Sequence, residues 1–195
     1  MAVRDDARRL ATRYFEEPVA RVLHTLKLTP TAVTLLGLVG TAGAAYLAGV
    51  GSLLLAGVAL TVASVLDMLD GALARLTDRA SRFGAALDSV ADRLSEAVLL
   101  LGVFIFYLHG DNDAGATLAF VALVTSYMVS YIRARGEGLG ITMKDSGLGT
   151  RTERVVIMIV GLVTGWVTVA LGVVIALSAA TSAQRMYHLW REAKG

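Results

Sequence analysis

Residues 31–66 read TAVTLLGLVGTAGAAYLAGVGSLLLAGVALTVASVL and contain no charged side chain. A helix needs about 20 mostly apolar residues to cross the hydrocarbon core of a bilayer, so this stretch has room for nearly two crossings. A tight Gly49-Val50-Gly51 turn divides it into one helix predicted over about 31–48 and a second over about 52–75. The stretch therefore predicts a protein that is embedded in a membrane.

The rest of the 195-residue chain continues this pattern. Residues 97–110 and 114–132 also lack Asp, Glu, Lys and Arg, and the composition is 55% hydrophobic but only 17% charged. A soluble domain of this size normally carries more charge. The chain has no cysteine, which excludes disulfides and Cys-based metal sites. Its net charge of +2 says little about partners, and no nucleic-acid partner is expected.

Four further helices are expected after residue 80. Helix 3 is predicted from Ser81 to just before Gly110, and helix 4 over about 115–136. The Gly-rich segment 136–150 is interpreted as an exposed loop, and two shorter helices between Thr152 and Trp190 are expected to separate near Gly172. The predicted fold is an all-α integral membrane protein with six transmembrane helices.

The basic residues predict how these helices are oriented. All 18 Lys and Arg residues fall in or beside the N-terminus, the loop after helix 2, the loop after helix 4 and the C-terminus. The other turns have none. Because basic residues near helix ends mark the cytoplasmic side, both termini are expected in the cytoplasm. We expect a multi-pass protein of the plasma membrane.

The first 29 residues form a separate predicted element. Apolar residues such as Leu10, Tyr14 and Leu23 recur at helical spacing between charged residues, which predicts an amphipathic helix over 2–26. Such a helix would lie in the membrane interface with its basic face toward lipid headgroups, and packing on the protein's own surface is a compatible alternative. The expected domains are this juxtamembrane helix, 1–29, and a transmembrane catalytic domain, 30–195.

Four aspartates mark the candidate site. Asp67 and Asp70 are three residues apart on helix 2, and Asp88 and Asp92 are four apart on helix 3, so each pair lies on one helix face. Because the two helices are antiparallel neighbours, the four carboxylates can converge at their cytoplasmic ends. Acids at membrane depth are costly unless they face a site or a pathway. Oxygen ligands of this kind favour Mg²⁺, Mn²⁺ or Ca²⁺ over zinc.

The aspartates also admit two alternatives to a metal site. Salt bridges to nearby arginines would satisfy two of the acids, and the candidates for this pairing are Arg75, Arg79, Arg82 and Arg93. An ion transporter would use the acids to line a pathway, but residues 31–66 contain no charge that continues such a path toward the far side.

The spacing of the acids resembles a known family signature. Asp67-x-x-Asp70-Gly71-x-x-Ala74-Arg75, eight residues, then Gly84-x-x-x-Asp88-x-x-x-Asp92 is similar to the complete signature of the CDP-alcohol phosphatidyltransferase family. The resemblance implies transfer of a phosphatidyl group from CDP-diacylglycerol to an alcohol, with release of CMP. It implies that Asp67, Asp70 and Asp88 hold Mg²⁺ or Mn²⁺, and that Asp92 is the base and a further ligand. It also implies a homodimer.

The resemblance extends to the substrate contacts. It nominates seven residues for CDP-diacylglycerol: Pro30, Thr31, Thr34, Gly71, Arg75, Ser81 and Gly84. Residues in and around Ser130-Tyr-Ile-Arg133 and Thr150-Arg151-Thr-Glu153-Arg154 resemble the phosphatidylinositol phosphate synthase branch. In that branch a phosphorylated polyol, inositol 1-phosphate, is the acceptor, and glycerol 3-phosphate is the alternative. The residues implied for the acceptor phosphate are Ser130, Arg133, Arg154 and Arg185.

Overall fold

The computed structural model describes residues 21, 23, 25–78, 81–143 and 149–193, and every regular element within them is helical. This confirms the predicted all-α class. The predicted amphipathic helix over 2–26 lies outside the described residues except at positions 21, 23, 25 and 26. Six helices follow: α1 (Pro30–Gly49), α2 (Leu53–Leu76), α3 (Arg82–His109), α4 (Asp113–Gly138), α5 (Arg151–Thr164) and α6 (Val167–Glu192).

Small polar side chains begin several of these helices. Thr29 Oγ1 accepts a hydrogen bond from the Ala32 N–H at 3.2 Å, and Pro30 occupies the first position of α1. Ser81 Oγ accepts from the Gly84 N–H at 2.9 Å, and Asn112 Oδ1 accepts from the Gly115 N–H at 2.9 Å. These caps satisfy backbone N–H groups that have no partner inside the helix. They explain why α1, α3 and α4 start where they do.

Four helices are long and apolar enough to cross a membrane, namely α1, α2, α4 and α6. The other two differ from them for separate reasons. Every 18-residue stretch of α3 contains Asp92, Arg93 and Glu96, and α5 has only 14 residues. The chain is therefore a multi-pass membrane protein, and the predicted count of six crossings stays a prediction.

The predicted break between the last two helices, near Gly172, is wrong. α5 ends at Thr164, and Gly165 adopts the left-handed conformation with φ 77°. Gly172 instead lies inside α6. A left-handed residue after a helix favours glycine because glycine has no Cβ to collide with the backbone. The sequence offers glycine at both positions, and only the backbone conformation distinguishes them.

The described residues form two compact units. The first comprises the described residues up to Gly43 together with Ala59–Ser95. Its core contains Leu23, Val33, Leu69 and Leu73, so one residue of the predicted N-terminal helix is packed against α1 and α2. α1 and α2 approach closely here, since a Cβ on Gly40 would lie 3.1 Å from Cβ of Ala63.

The second unit comprises Ala44–Val58 and the chain from Glu96 onward. Within it, α6 packs along both α4 and α5. The segment interpreted above as an exposed loop is partly buried, which corrects that interpretation. Met143 is fully buried, and a Cβ on Gly136 would lie 2.7 Å from its Cγ. Gly149 is also buried, and its N–H donates to Thr181 Oγ1 on α6 at 2.8 Å.

Candidate active site

Three of the four predicted aspartates come together in the first unit. Asp67 and Asp70 are on α2 and Asp88 is on α3, and each offers a carboxylate oxygen within 4.8 Å of the others. Asp70 is buried, and the other two are half-buried. Such a set of oxygen donors fits a hard divalent cation such as Mg²⁺ or Mn²⁺. These three residues could hold a metal ion.

Thr34 connects the start of α1 to this cluster. Its hydroxyl donates to Asp70 Oδ2 at 2.5 Å. Thr34 Oγ1 also lies 3.1 Å from the carbonyl oxygen of Pro30. Both Thr34 and Asp70 are buried. A hydrogen bond to a metal-binding carboxylate orients that carboxylate and tunes its affinity. Thr34 is predicted as a substrate contact, and the structure adds this bond to the aspartate.

Asp92 lies one helical turn beyond Asp88 in α3. Among the described residues it is not a member of the three-carboxylate group. Its Oδ2 lies 3.6 Å from Nη1 of Arg93, and its side chain is 18% exposed. The alternative in which nearby arginines satisfy the acids therefore applies in part to Asp92, through Arg93. The predicted roles of Asp92 as base and as metal ligand stay predictions.

A cavity of about 570 Å³ adjoins the carboxylates, and it lies within the first unit. Its walls come from the start of α1, the last turns of α2 and the first turns of α3. Asp70 and Asp88 both line it. All seven residues predicted to bind CDP-diacylglycerol line it as well: Pro30, Thr31, Thr34, Gly71, Arg75, Ser81 and Gly84.

Glycines keep part of this cavity open. Gly71 faces the cavity from α2, and a Cβ at that position would lie 3.4 Å from Arg75 Nη1. Gly84 sits in the first turn of α3, where a Cβ would lie 3.1 Å from Ser81 Oγ, the capping oxygen. A side chain would be crowded at Gly84, whereas at Gly71 it would fill cavity space beside Arg75.

Five further residues line the cavity that the sequence interpretation did not assign to the substrate: Thr29, Ala74, Phe83, Ala85 and Leu87. Phe83 is strongly exposed, at 74%. The sequence could have indicated two of them only through their neighbours, since Thr29 precedes Pro30 and Phe83 precedes Gly84 in the chain. Nothing in the spacing alone shows which neighbours face a cavity.

The residues predicted for the acceptor lie in the second unit. Ser130 is half-buried in α4, and Arg133, three residues later, bonds to Glu137 Oε1 at 2.9 Å with its side chain 38% exposed. Arg185 is buried in α6 and donates from Nη1 to the Val129 carbonyl of α4 at 2.7 Å. Their roles at the acceptor stay predictions.

Arg154 differs from the other predicted acceptor residues. It is 2% exposed and makes a two-pronged ion pair with Glu96, with Nε to Oε1 at 2.6 Å and Nη2 to Oε2 at 2.8 Å. Its Nη1 donates to the Gly149 carbonyl at 2.9 Å. The sequence interpretation did not single out Glu96, although it follows Asp92 by four residues in α3.

Comparison with known proteins extends the match beyond the signature. The family model for CDP-alcohol phosphatidyltransferases matches residues 27–184. The archaetidylinositol phosphate synthase of Pyrococcus horikoshii is 37% identical over 171 residues, covering 88% of this chain and 88% of that protein. The phosphatidylinositol phosphate synthase of Corynebacterium glutamicum is 39% identical over 150 residues, 75% of this chain and 68% of that protein.

Solved structures agree with this assignment. The Mycobacterium tuberculosis phosphatidylinositol phosphate synthase with CDP-DAG bound has a TM-score of 0.83 and 31% identity, covering 91% of this chain and 94% of that one. The same enzyme in complex with manganese and citrate also gives a TM-score of 0.83, over 90% and 89% of the two chains. The chain is therefore an enzyme, and it belongs to the CDP-alcohol phosphatidyltransferase family.

Proposed function

We propose that this enzyme transfers the phosphatidyl group of CDP-diacylglycerol to inositol 1-phosphate, giving phosphatidylinositol phosphate and CMP. The observation that carries the proposal is the cavity beside the three carboxylates, which is lined by every residue nominated for the nucleotide-linked donor. The relatives named as inositol phosphate synthases, at 37% and 39% identity, support the choice of acceptor.

The reaction exchanges the phosphoanhydride bond of the donor's diphosphate for a phosphoester bond to the acceptor. The acceptor hydroxyl oxygen forms a bond to the phosphorus that carries the diacylglycerol, and the bond from that phosphorus to the oxygen of CMP breaks. The hydroxyl proton leaves to a base, for which we propose Asp92. A carboxylate can take this role when the hydroxyl lies within hydrogen-bond reach. Positioning and charge neutralisation supply most of the catalysis in reactions of this type.

Asp67, Asp70 and Asp88 are the proposed ligands of Mg²⁺ or Mn²⁺, and Asp92 is a proposed further ligand. The 4.8 Å grouping of the first three supports this assignment. When bound, the cation neutralises the negative charge that develops on the departing CMP. Thr34 would hold Asp70 in a fixed orientation through the 2.5 Å hydrogen bond. Arg75, which lines the cavity, would contact the donor's diphosphate.

For the acceptor phosphate we propose Ser130, Arg133, Arg154 and Arg185. Arginine presents a planar fork of N–H donors that matches phosphate oxygens. A phosphorylated acceptor makes use of these cations, whereas free inositol or serine offers them no phosphate. Arg154 gives three of its five N–H donors to Glu96 and Gly149, which leaves two for a phosphate.

We further propose six crossings with both termini and the active site on the cytoplasmic side of the plasma membrane. The segregation of all 18 Lys and Arg residues to four regions supports this orientation. Residues 1–29 would form the juxtamembrane helix and residues 30–195 the transmembrane catalytic domain. Family resemblance supports a homodimer. Diacylglycerol chains of the donor would lie in the surrounding lipid.

The test is CMP release by purified protein with CDP-diacylglycerol and Mg²⁺, with inositol 1-phosphate, free inositol, glycerol 3-phosphate and serine offered in parallel. Release with inositol 1-phosphate, abolished in Asp88→Asn but retained in Asp113→Asn, is the expected result. Asp113 is a matched control because it is an exposed acid at the start of α4. Release with glycerol 3-phosphate would overturn the acceptor, and release with none of the four would overturn the proposed function.

A further inference from the structure

We propose that the segment entering α1 positions the three-carboxylate group, and that Leu23 and Leu28 do this by packing beside the hydrogen bond between Thr34 and Asp70. We call residues 23 and 25–29 the entry segment. The inference rests on the proposed function, because it concerns the aspartates of that reaction. All the residues involved are described in the structure and belong to the first unit.

The entry segment has the form of a Schellman motif, a common way for a helix to end. Residue 25 is the last helical residue before α1. The Leu28 N–H donates to the Leu23 carbonyl at 3.2 Å, and Lys27 has φ 57°. A bond over this separation, with a left-handed residue just before the donor, is accompanied in many proteins by an apolar contact near the same two positions. Here both leucines pack in one apolar cluster.

Lysine is an uncommon residue for the left-handed position of this motif. Glycine is the usual choice, because it has no Cβ to collide with the backbone. A disfavoured conformation persists where the surrounding structure holds it in place. Leu23 and Leu28, on either side of Lys27, are the packed residues that do so. Tertiary packing therefore determines where the chain turns into α1.

The two leucines pack against residues that are neighbours of the hydrogen bond. Their cluster contains Val33 of α1 and Leu69 of α2, which are 0% and 1% exposed. Val33 directly precedes the threonine that donates to Asp70, and Leu69 directly precedes Asp70 itself. Successive residues of a helix point in different directions, at 3.6 residues per turn. One face of each helix thus meets the leucines while the adjacent face makes the hydrogen bond.

The hydrogen bond depends on how closely α1 approaches α2. Thr34 Oγ1 and Asp70 Oδ2 are 2.5 Å apart, and such bonds weaken steeply as their geometry departs from the ideal. Removal of a buried leucine side chain leaves a cavity into which the neighbouring helices relax only partly. At Leu23 this relaxation would shift Thr34 relative to Asp70. Asp70 would then lose part of the orientation that favours a bound cation.

The entry segment also leads directly into the cavity beside the carboxylates. Thr29, Pro30 and Thr31 follow Leu28 in the chain, and all three line that cavity. Thr29 Oγ1 in addition caps α1 by accepting from the Ala32 N–H at 3.2 Å. A shift of Leu28 would therefore reach the cavity wall through the backbone as well as through the apolar cluster.

Binding of Mn²⁺, followed by electron paramagnetic resonance of the free ion, tests the inference without turnover. Leu23→Ala is expected to weaken binding by about threefold or more, less than the roughly tenfold loss typical when a direct partner of a ligand carboxylate is removed. Leu23→Met should bind normally, because methionine fills nearly the same volume. Leu28→Ala changes a half-buried position and should act in the same direction if Leu23→Ala folds poorly.

Two further alanine variants are the controls. Leu26→Ala removes the same kind of side chain from the same segment, but Leu26 is 65% exposed. Leu171→Ala removes a fully buried leucine from α6, in the second unit. We expect Leu171→Ala to lower the melting temperature at least as much as Leu23→Ala does. Both controls should bind Mn²⁺ like the unaltered enzyme.

A double variant tests the route by which Leu23 acts. If Leu23 acts through the Thr34 hydroxyl, adding Leu23→Ala to Thr34→Val should cause no further loss of Mn²⁺ affinity, since changes to one interacting unit are not additive. Turnover provides a separate check on the same variant. Because the defect lies in cation binding, excess Mg²⁺ should restore CMP release by Leu23→Ala to the level of the unaltered enzyme.

Several outcomes would overturn the inference. Normal Mn²⁺ binding in both Leu23→Ala and Leu28→Ala would do so, and so would equal losses in either control. Losses that add in the double variant would mean that Leu23 acts by another route. Failure of the proposed function has a different signature. An enzyme that binds Mn²⁺ but releases no CMP with inositol 1-phosphate would overturn the acceptor and leave the comparison of Mn²⁺ affinities intact.

Discussion

At the scale of single residues, the hydrogen bond between Thr34 and Asp70 connects two roles that the sequence kept separate. Thr34 lines the cavity beside the three carboxylates, and its hydroxyl also donates to Asp70 Oδ2 at 2.5 Å. A residue that supports a ligand carboxylate commonly changes metal affinity when it is replaced. Occupancy of the cavity and of the metal site should therefore be coupled through this side chain.

Replacing Thr34 by Val tests that coupling, because valine has nearly the same shape and no hydroxyl. We expect Thr34→Val to weaken Mn²⁺ binding by roughly tenfold, since Asp70 loses its orienting donor. Electron paramagnetic resonance of free Mn²⁺ measures this without turnover. Thr117→Val is the control, because Thr117 is exposed in α4 and its hydroxyl bonds to the Asp113 carbonyl of its own helix. Equal affinity in the two variants would contradict the coupling.

A second residue-scale prediction concerns Gly71. An added methyl would take up space in the cavity and lie in van der Waals contact with Arg75 Nη1, at 3.4 Å. We expect Gly71→Ala to raise the KM for CDP-diacylglycerol several-fold. The same change should leave the melting temperature unchanged or higher, because alanine favours a helix over glycine by about 1 kcal/mol.

The control for this prediction is Gly43→Ala in α1. A Cβ at Gly43 meets no atom within 4 Å, so the helix gains the same preference and the cavity is untouched. Its KM should equal that of the unchanged enzyme. A Gly71→Ala enzyme with normal KM would show that the donor does not approach this face of α2.

At the scale of elements, the boundary between α5 and α6 depends on one backbone conformation. Gly165 has φ 77° and its N–H bonds to the Leu162 carbonyl, whereas Gly172 lies within α6 with no atom within 4 Å of an added Cβ. A left-handed backbone costs a residue with a Cβ roughly 1 kcal/mol, while alanine in mid-helix gains about as much over glycine.

The two glycines should therefore respond in opposite directions. Gly165→Ala is expected to lower the melting temperature in detergent, and Gly172→Ala is expected to raise it or leave it unchanged. Thermal unfolding of the two single variants, followed side by side by circular dichroism, measures the difference. A lower melting temperature for Gly172→Ala than for Gly165→Ala would instead indicate that the helix break lies near residue 172.

The start of α5 shows the same dependence on contacts between elements. The capping box of Thr150 and Glu153 is local and could be predicted from their separation of three residues. The contacts of Arg154 and Gly149 join three helices and could not. The sequence predicts that an arginine near a helix end is exposed to solvent. Only the structure shows that Arg154 is buried, because Glu96 of α3 lies beside it.

At the scale of the whole molecule, the charge distribution predicts an orientation that accessible cysteines can test. The cysteine-free chain allows single cysteines at four exposed positions, Val50, Asp113, Leu139 and Glu192. α4 lies between Asp113 and Leu139 and is long enough to cross the membrane. The proposed topology puts 50 and 113 outside the cell and 139 and 192 in the cytoplasm.

An impermeant maleimide applied to intact cells should label the first two variants before lysis and the other two only afterwards. Labelling of 139 or 192 in intact cells would contradict the cytoplasmic assignment. Labelling of 113 and 192 on the same side would mean that α5 does not cross, and α5 has only 14 residues.

The membrane-embedded fold of this enzyme and the position of its carboxylate cluster can be predicted from the sequence alone. Membrane insertion follows from long uncharged runs, and the carboxylate cluster follows from acids at helical spacing on neighbouring helices, because composition and helical periodicity are local properties. Only the tertiary structure decided that Thr34 supports Asp70, 36 residues away, and that Arg154 pairs with Glu96, 58 residues away. It also chose Gly165 over Gly172 as the helix break. Those features depend on which side chains meet across helices and on which backbone conformation the packing selects, and neither quantity is encoded in residue spacing.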